Sequence, residues 1–232
     1  MTHAAATAYA DAATHGQRFS GRRLPRAGHL LAVTARPGQE SADLGRLLYA
    51  FRRRGTSLAL LSMTRGEASP LNSTGERLAA IRPWELQVAA GLIGISALIV
   101  ADYPDGQLNR QLAAELTERV RRAIRQHATD LLLVIDPATA DPDDAAVARA
   151  VCAAAEQTGV PALARMPHAG RSGWHVDLGP DAVAARAVQR AALAAHASQA
   201  RVRPGAQRRL DRQDDREQLR WLVPPRRLFA LG

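Results

Sequence analysis

Five polar segments of this 232-residue chain carry most of the residues able to do chemistry. They are Arg36-Pro37-Gly38-Gln39-Glu40, Thr64-Arg65-Gly66-Glu67, Asp102-Tyr103-Pro104-Asp105-Gly106, Asp136 with Asp141-Pro142-Asp143-Asp144, and His196-Ala197-Ser198-Gln199. Carboxylates dominate, and Glu40, Asp105, Asp136, Asp141, Asp143 and Asp144 could supply oxygens to a hard cation such as Mg²⁺ or Ca²⁺. Arg36 argues against that use, because a cation among these acids would lie beside a permanent positive charge. The same guanidinium can instead form a two-pronged hydrogen-bonded pair with Asp144 or Asp141. Each residue also has a plainer role. Asp141, followed by Pro142 and two acids, has the form of a helix N-cap, and Glu40 that of an acid complementing a helix start. Thr64 and Glu67 could organise their loop, Arg82 could be solvated, and His196 could be an ordinary surface or core histidine.

The elements that must position these segments follow from periodicity. Apolar runs at 29–35, 56–63, 96–101, 130–136 and 160–166 alternate with 3.6-period stretches at 41–55, 76–94, 111–127 and 143–159. Short continuous apolar runs between amphipathic helices indicate an α/β fold, Rossmann-like, with a mostly parallel sheet and helices on both faces. Ligands in such folds sit beyond the carboxyl ends of the strands, where four of the five segments fall. Residues 1–27 show no sustained period and are expected to form a flexible arm before an α/β domain over 28–199. A helix over 181–198 leads to an Arg-rich segment, 200–232. Much of 200–218 is expected at the surface, with Leu219, Trp221, Leu222 and Val223 packing back on the body.

Composition removes several classes of function. At 47% apolar and 23% charged the chain is not disordered as a whole. Its longest apolar run, Ala89 to Ala101, falls well short of the ~20 residues needed to cross a bilayer, and the N-terminus lacks the basic start and apolar stretch of a secretory signal. Cys152 is the single cysteine, so disulfide frameworks and zinc fingers fall out and a cytoplasmic location is expected. Cys152 itself, on an alanine-rich helical face, reads as an inert core residue. All 31 basic residues are arginine and the net charge is +9, but only 4% of the residues are aromatic. The arginines cluster at 22–26, 52–54, 121–125 and 201–227, so an Arg-rich module binding nucleic acid or an acidic partner stays a rival reading. Without stacking surfaces, such binding is expected to be weak, salt-sensitive and unspecific.

The order of the segments resembles the PIG-L or LmbE-like family of zinc-dependent de-N-acetylases, which remove acetyl groups from N-acetylglucosamine-type amino sugars. The resemblance covers roughly residues 28 to 200. The family's pattern runs Ala-x-His-Pro-Asp-Asp-Glu, Thr-x-Gly-Glu, Arg-x-x-Glu, Pro-Asp-Gly, His-Pro-Asp-His and His-x-Ser-Gln. It is matched by Ala35 to Glu40, Thr64 to Glu67, Arg82 with Glu85, Pro104 to Gly106, Asp141 to Asp144, and His196 to Gln199. The resemblance implies that the family's zinc positions are Arg36, Gln39 and Asp144, and that Gly38 stands where the family has its general base. It also implies that Arg82 reaches a sugar hydroxyl. The pocket candidates are then Arg36, Gln39, Glu40, Arg65, Glu67, Arg82, Asp105, Asp141, Asp143, Asp144 and His196.

These departures fall on the residues that would hold and use the metal. Zinc takes about three strong ligands and an open position; a guanidinium has no lone pair to offer and a glutamine oxygen is a weak substitute. A glycine cannot take a proton from water. The expectation is a deacetylase-like pseudoenzyme with no cofactor and no assigned catalytic residue, binding an amino-sugar or glycoside-type ligand. Neither specific nucleic-acid binding nor a membrane span is expected, and a homo-oligomer is possible. An active amide hydrolase with an unorthodox metal, or none, is the alternative.

Overall fold

The computed structural model describes residues 23–68, 75–138, 140–166, 173–200 and 216–226. Apolar residues of β1 (His29–Thr34), β2 (Ser57–Thr64), β3 (Ala97–Tyr103), β4 (Leu131–Ile135) and β5 (Ala162–Arg165) form the parallel part of a seven-stranded sheet. β6 (Trp174–Asp177) and β7 (Arg216–Val223) extend it antiparallel, giving the order β3-β2-β1-β4-β5-β7-β6. The helices are α1 (Gln39–Ala42), α2 (Gly45–Arg53), α3 (Gly75–Ile93), α4 (Ala113–Gln126), α5 (Pro142–Thr158), α6 (Ala182–Ala195) and α7 (Ala197–Ala200).

Alternate strand residues face opposite layers, as pleating requires. Leu30, Ala32, Leu58 and Leu60 pack with Leu47 and Phe51 of α2, Leu86 and Ile93 of α3 and Ala185 of α6. Leu31, Val33, Leu61 and Val134 pack with Val120 of α4 and Val147 and Val151 of α5. Both sheet faces are therefore covered, as the uninterrupted apolar runs require. The chain moves outward from β1 through β2 to β3, then returns through α4 to lay β4 against the other side of β1. The winding reverses there, so the carboxyl ends of β1 and β4 flank the crevice where such sheets bind ligands.

Three features differ from the sequence expectations. The helix expected over 41–55 is broken at Asp43–Leu44 into α1 and α2, so Glu40 lies inside a short helix of its own. Residues 216–218, expected on a surface segment, belong to a strand inside the sheet. Glu217 is 2% exposed there because Arg46 and Arg165 pair with it at 2.5 and 3.2 Å. Leu219 and its neighbours do return to the body, as the middle strand of an antiparallel trio. At the other end, Leu24 lies within the expected arm yet is 6% exposed and belongs to the core. Its carbonyl accepts a hydrogen bond from Arg54. Residues 1–22 and 201–215, which carry most of the expected arm and the Arg-rich run, lie outside the described residues.

Candidate functional site

The turn after β1 starts from Gly38, whose φ of 97° lies in the left-handed region that favours glycine. Its N–H donates to Glu40 Oε2 at 2.7 Å. Glu40 Oε1 receives the Ser41 hydroxyl at 2.5 Å and faces His196 Nε2 at 2.7 Å, which puts the imidazole proton on Nε2. Glu40, Ser41 and His196 are all fully buried. From α7 the Gln199 amide donates to the Pro37 carbonyl at 3.0 Å, and Ser198 is held by Glu85 of α3 through N–H and hydroxyl at 2.7 and 2.6 Å. The Gln199 amide also fills the space a side chain at 38 would enter, 2.7 Å from the position of a Cβ. Glu40 and His196 therefore shape the loop from beneath, and neither lines an open pocket.

Above this network Arg36 reaches from the end of β1 to the start of α5. Asp141 caps α5, its Oδ1 accepting the Asp143 N–H at 2.9 Å, with Pro142 in the first helical position. The Arg36 guanidinium grips Asp141 with both prongs, Nη1 to Oδ2 at 2.9 Å and Nη2 to Oδ1 at 3.2 Å. Nη2 also donates to Asp143 at 3.3 Å, and Nε lies 3.1 Å from Asp105. Asp143 is itself fixed by the N–H groups of Gly106 and Leu108 at 2.8 and 2.9 Å, and Asp105 by that of Ala68 at 3.0 Å. Burial alone would lower the Arg36 pKa, but the carboxylates of Asp105, Asp141 and Asp144 outweigh it, so the pKa stands above its ordinary value.

Gln39 and Asp144 form a second pair. Gln39 Oε1 accepts the N–H groups of Ala35 and Arg36 at 2.9 and 3.1 Å, which fixes the amide orientation and turns its NH₂ toward Asp144 Oδ1 at 2.6 Å. Burial pushes the Asp144 carboxyl up to about 6, with Asp141 and Asp43 adding to the rise while the Gln39 bond and Arg36 oppose it. Among the described residues no group of three or more His, Cys, Asp or Glu side chains is arranged to hold a metal ion.

The remaining candidates separate. Arg82 donates to the Gly66 carbonyl and Glu67 accepts the Asp105 N–H at 2.8 Å, so both hold the loops that carry Asp105. Arg65 is drawn away to Asp102 at 2.7 Å, in an exposed pair. Asp136, named above as a possible cation ligand, is held by Arg220 of β7. The structure thus brings Arg36, Gln39, Asp105, Asp141, Asp143 and Asp144 together and keeps Glu40, His196 and Arg65 apart from that group. Sequence reasoning missed Ser41 and Asp43, which no spacing marks, and gave Gln199 no role although its motif pointed to it. Three of the four arginines of α4 share one acid: Arg121, Arg122 and Arg125 all lie within 3.3 Å of Glu118.

Fold and site together define an α/β protein with a mostly parallel sheet and its polar loops gathered at the carboxyl ends of β1 and β4. Residues 31–155 match the family model described as PIG-L: GlcNAc-PI de-N-acetylase, and the chain belongs to this family. It is 30% identical over 132 residues to a probable N-acetyl-alpha-D-glucosaminyl L-malate deacetylase 2 of Bacillus anthracis, a match covering 54% of this chain and 58% of that relative. The chain therefore spans less than two thirds of that relative's length. The fold is shared with the conserved protein TT1542 from Thermus thermophilus, with a TM-score of 0.68 and 21% identity over 87% of this chain and 97% of that one. It is also shared with the N,N'-diacetylchitobiose deacetylase from Pyrococcus horikoshii, with a TM-score of 0.67 and 15% identity over 85% and 84%. Among the described residues no helix is long and apolar enough to cross a membrane.

Proposed function

We propose that this chain is a PIG-L-family protein whose zinc centre has been replaced by an organic cation, and that it binds an amino-sugar or glycoside-type ligand without the family's hydrolysis. The observation that carries the reading is the Arg36 fork, whose two terminal nitrogens donate to Asp141 and Asp143 while Nε lies against Asp105. One guanidinium takes up the carboxylates that a metal would otherwise be needed to neutralise.

The residues at the family's zinc positions do not fit zinc. Arg36 offers no lone pair. The Gln39 oxygen is spent on two backbone N–H groups, and its NH₂ points hydrogens at the oxygen of Asp144 that a cation would share. Gly38 offers no base, and no catalytic step is assigned to these residues. The ligand class rests on family membership and on the deacetylases of acetylated amino sugars among the relatives. The side chains left partly open toward a ligand are Asp141 and Arg36, 31% and 19% exposed, a carboxylate and a cation suited to sugar hydroxyls.

The test is acetate release from N-acetylglucosamine derivatives, with and without added zinc, beside calorimetric binding of the same compounds and of free amino sugars. Saturable binding without acetate release is the expected result. Metal-dependent acetate release would make the unorthodox hydrolase the correct reading.

A further inference from the structure

The outer side of α3 differs from that of the other long helices among the described residues. Ile81, Trp84, Val88 and Leu92 recur at helical spacing and are 41%, 70%, 56% and 44% exposed. Ala80 and Gly91 lie on the same exposed side, and nothing lies within 4 Å of where a Cβ on Gly91 would sit. From Leu78 to Ala101 the only charged residues are Arg82 and Glu85, and both turn inward, to Gly66 and Ser198. A solvated helix ordinarily shows a charged outer face. That of α4 does, with Glu115, Arg122 and Arg125 exposed.

This stripe adjoins an open sheet edge. α3 runs into β3 through a short turn, and Leu98 and Val100 of β3 pack against the same core layer as Leu86, Ala89 and Ile93 of α3. Among the described residues β3 pairs with β2 alone, so its other backbone edge carries unpaired N–H and C=O groups.

We propose that α3 and the free edge of β3 form a two-fold interface between two copies of this chain. A two-fold contact needs a patch that complements itself, and both features do. An apolar stripe meets its own copy without loss, and an edge strand pairs antiparallel with its own copy, N–H to C=O. Charge selects the same occupant. The chain carries +9, yet from Leu78 to Leu92 this face carries no outward charge; the exposed Arg77 stands at one end of the stripe, one turn before Ile81, and an antiparallel copy keeps the two arginines at opposite ends. Beyond the strand, Glu115 and Glu118 stand beside Arg119 and Arg122 in a shallow cavity of about 690 Å³ that Tyr103 and Asp102 complete. That rim holds both signs, which a rotated copy can match. The four exposed side chains leave on the order of 400 Å² open, about half of the ~800 Å² per partner in a standard interface, and the β3 edge supplies an adjoining strip.

The experiment is sedimentation equilibrium of the full chain across a broad concentration series. Unmodified protein is expected at twice the chain mass. Trp84→Lys and Val88→Glu are expected to weaken association more than ~30-fold, as loss of an interface anchor does. Val183→Glu, at an 82% exposed apolar position on α6, is expected to leave it unchanged. Hydrogen exchange on the unmodified chain gives a reading that does not depend on any variant folding: protection of the Ala97–Tyr103 amides should rise with protein concentration. A chain monomeric throughout the series, an oligomer indifferent to the α3 substitutions, or β3 exchange independent of concentration overturns the proposal. The first result would leave a segment of the chain itself or a different protein as the occupant of the stripe.

Discussion

Two groups of residues meet at the ends of β1 and β4, and they are built on different terms. Around Glu40 each side chain holds backbone or another fully buried group: Glu40 the Gly38 N–H, Glu85 the Ser198 N–H, Gln199 the Pro37 carbonyl. Around Arg36 several carboxylates gather about one guanidinium, and the pair with Asp141 is partly open to solvent. Glu40, Glu67, Arg82, Glu85, His196, Ser198 and Gln199 keep the residue types of the family pattern. Arg36, Gly38, Gln39, Asp141 and Asp144 do not. The residues that shape the loops match the pattern, and of the departures Arg36, Gly38, Gln39 and Asp144 fall where the resemblance puts the family's metal ligands and base. On our reading the scaffold of the site has been kept for binding while its chemistry has been exchanged for an ion pair.

That contrast can be broken from the buried side first. Glu40→Ala leaves the His196 imidazole, the Ser41 hydroxyl and the Gly38 N–H without their acceptor in a dry site, and should cost about 3 to 5 kcal/mol in denaturant unfolding. A cost under about 1 kcal/mol would show that the network does not set the loop.

Asp144 carries the next largest effect, and its sign is opposite to that of a paired acid. Its folded-state pKa of about 6 stands above the ordinary 3.8, so the native state keeps a proton that the unfolded chain has released. The stability this contributes is fully present below pH ~4 and is lost as pH rises through about 6, amounting to at most about 3 kcal/mol. Asp144→Asn should keep the Gln39 bond and flatten the melting profile between pH 4 and 7. An unchanged slope would place the titration elsewhere.

Arg36→Ala should cost less, about 2 kcal/mol, because the pair is partly solvated. It leaves Asp105, Asp141 and Asp143 facing one another without a cation, so Mg²⁺ or Ca²⁺ should raise the melting temperature of this variant and leave that of the unmodified chain alone. Equal stabilisation of both would mean that the guanidinium does not stand in for a metal. The smallest effect belongs to the turn. Gly38→Ala should cost about 1 kcal/mol through its positive φ, while the Gln199 amide, at the end of a flexible side chain, gives way. The change that would restore a base, Gly38→Asp, meets the same strain.

The sequence made the parallel half of the fold legible because strands buried on both faces must be continuous apolar runs, and β1 to β5 are. It also made the Arg36 pair legible, since Asp141-Pro142 marks a helix start and a fork at the end of β1 has few other partners. β7 was hidden because its strand reads Arg-Glu-Gln-Leu-Arg-Trp-Leu-Val. Glu217 is buried only because Arg46 and Arg165, distant in sequence, neutralise it, and Arg220 is spent on Asp136. Propensity cannot foresee charges cancelled across three elements. Part of Glu40's role was hidden for a related reason: it is the first-turn acid that the sequence marks, with Oε2 on the Gly38 N–H, but its other oxygen meets His196, 156 residues away.

The measurement that tests the central claim most directly is anomalous diffraction at the zinc edge, on crystals of the unmodified chain grown with excess zinc. The account predicts no zinc peak between the ends of β1 and β4, with the Arg36 guanidinium forked onto Asp141 and Gln39 bonded to Asp144. The fourfold change Arg36→His, Gln39→Asp, Asp144→His and Gly38→Asp should bring a peak to that place. A full-occupancy zinc in the unmodified protein, with Arg36 turned away from the acids, would contradict it.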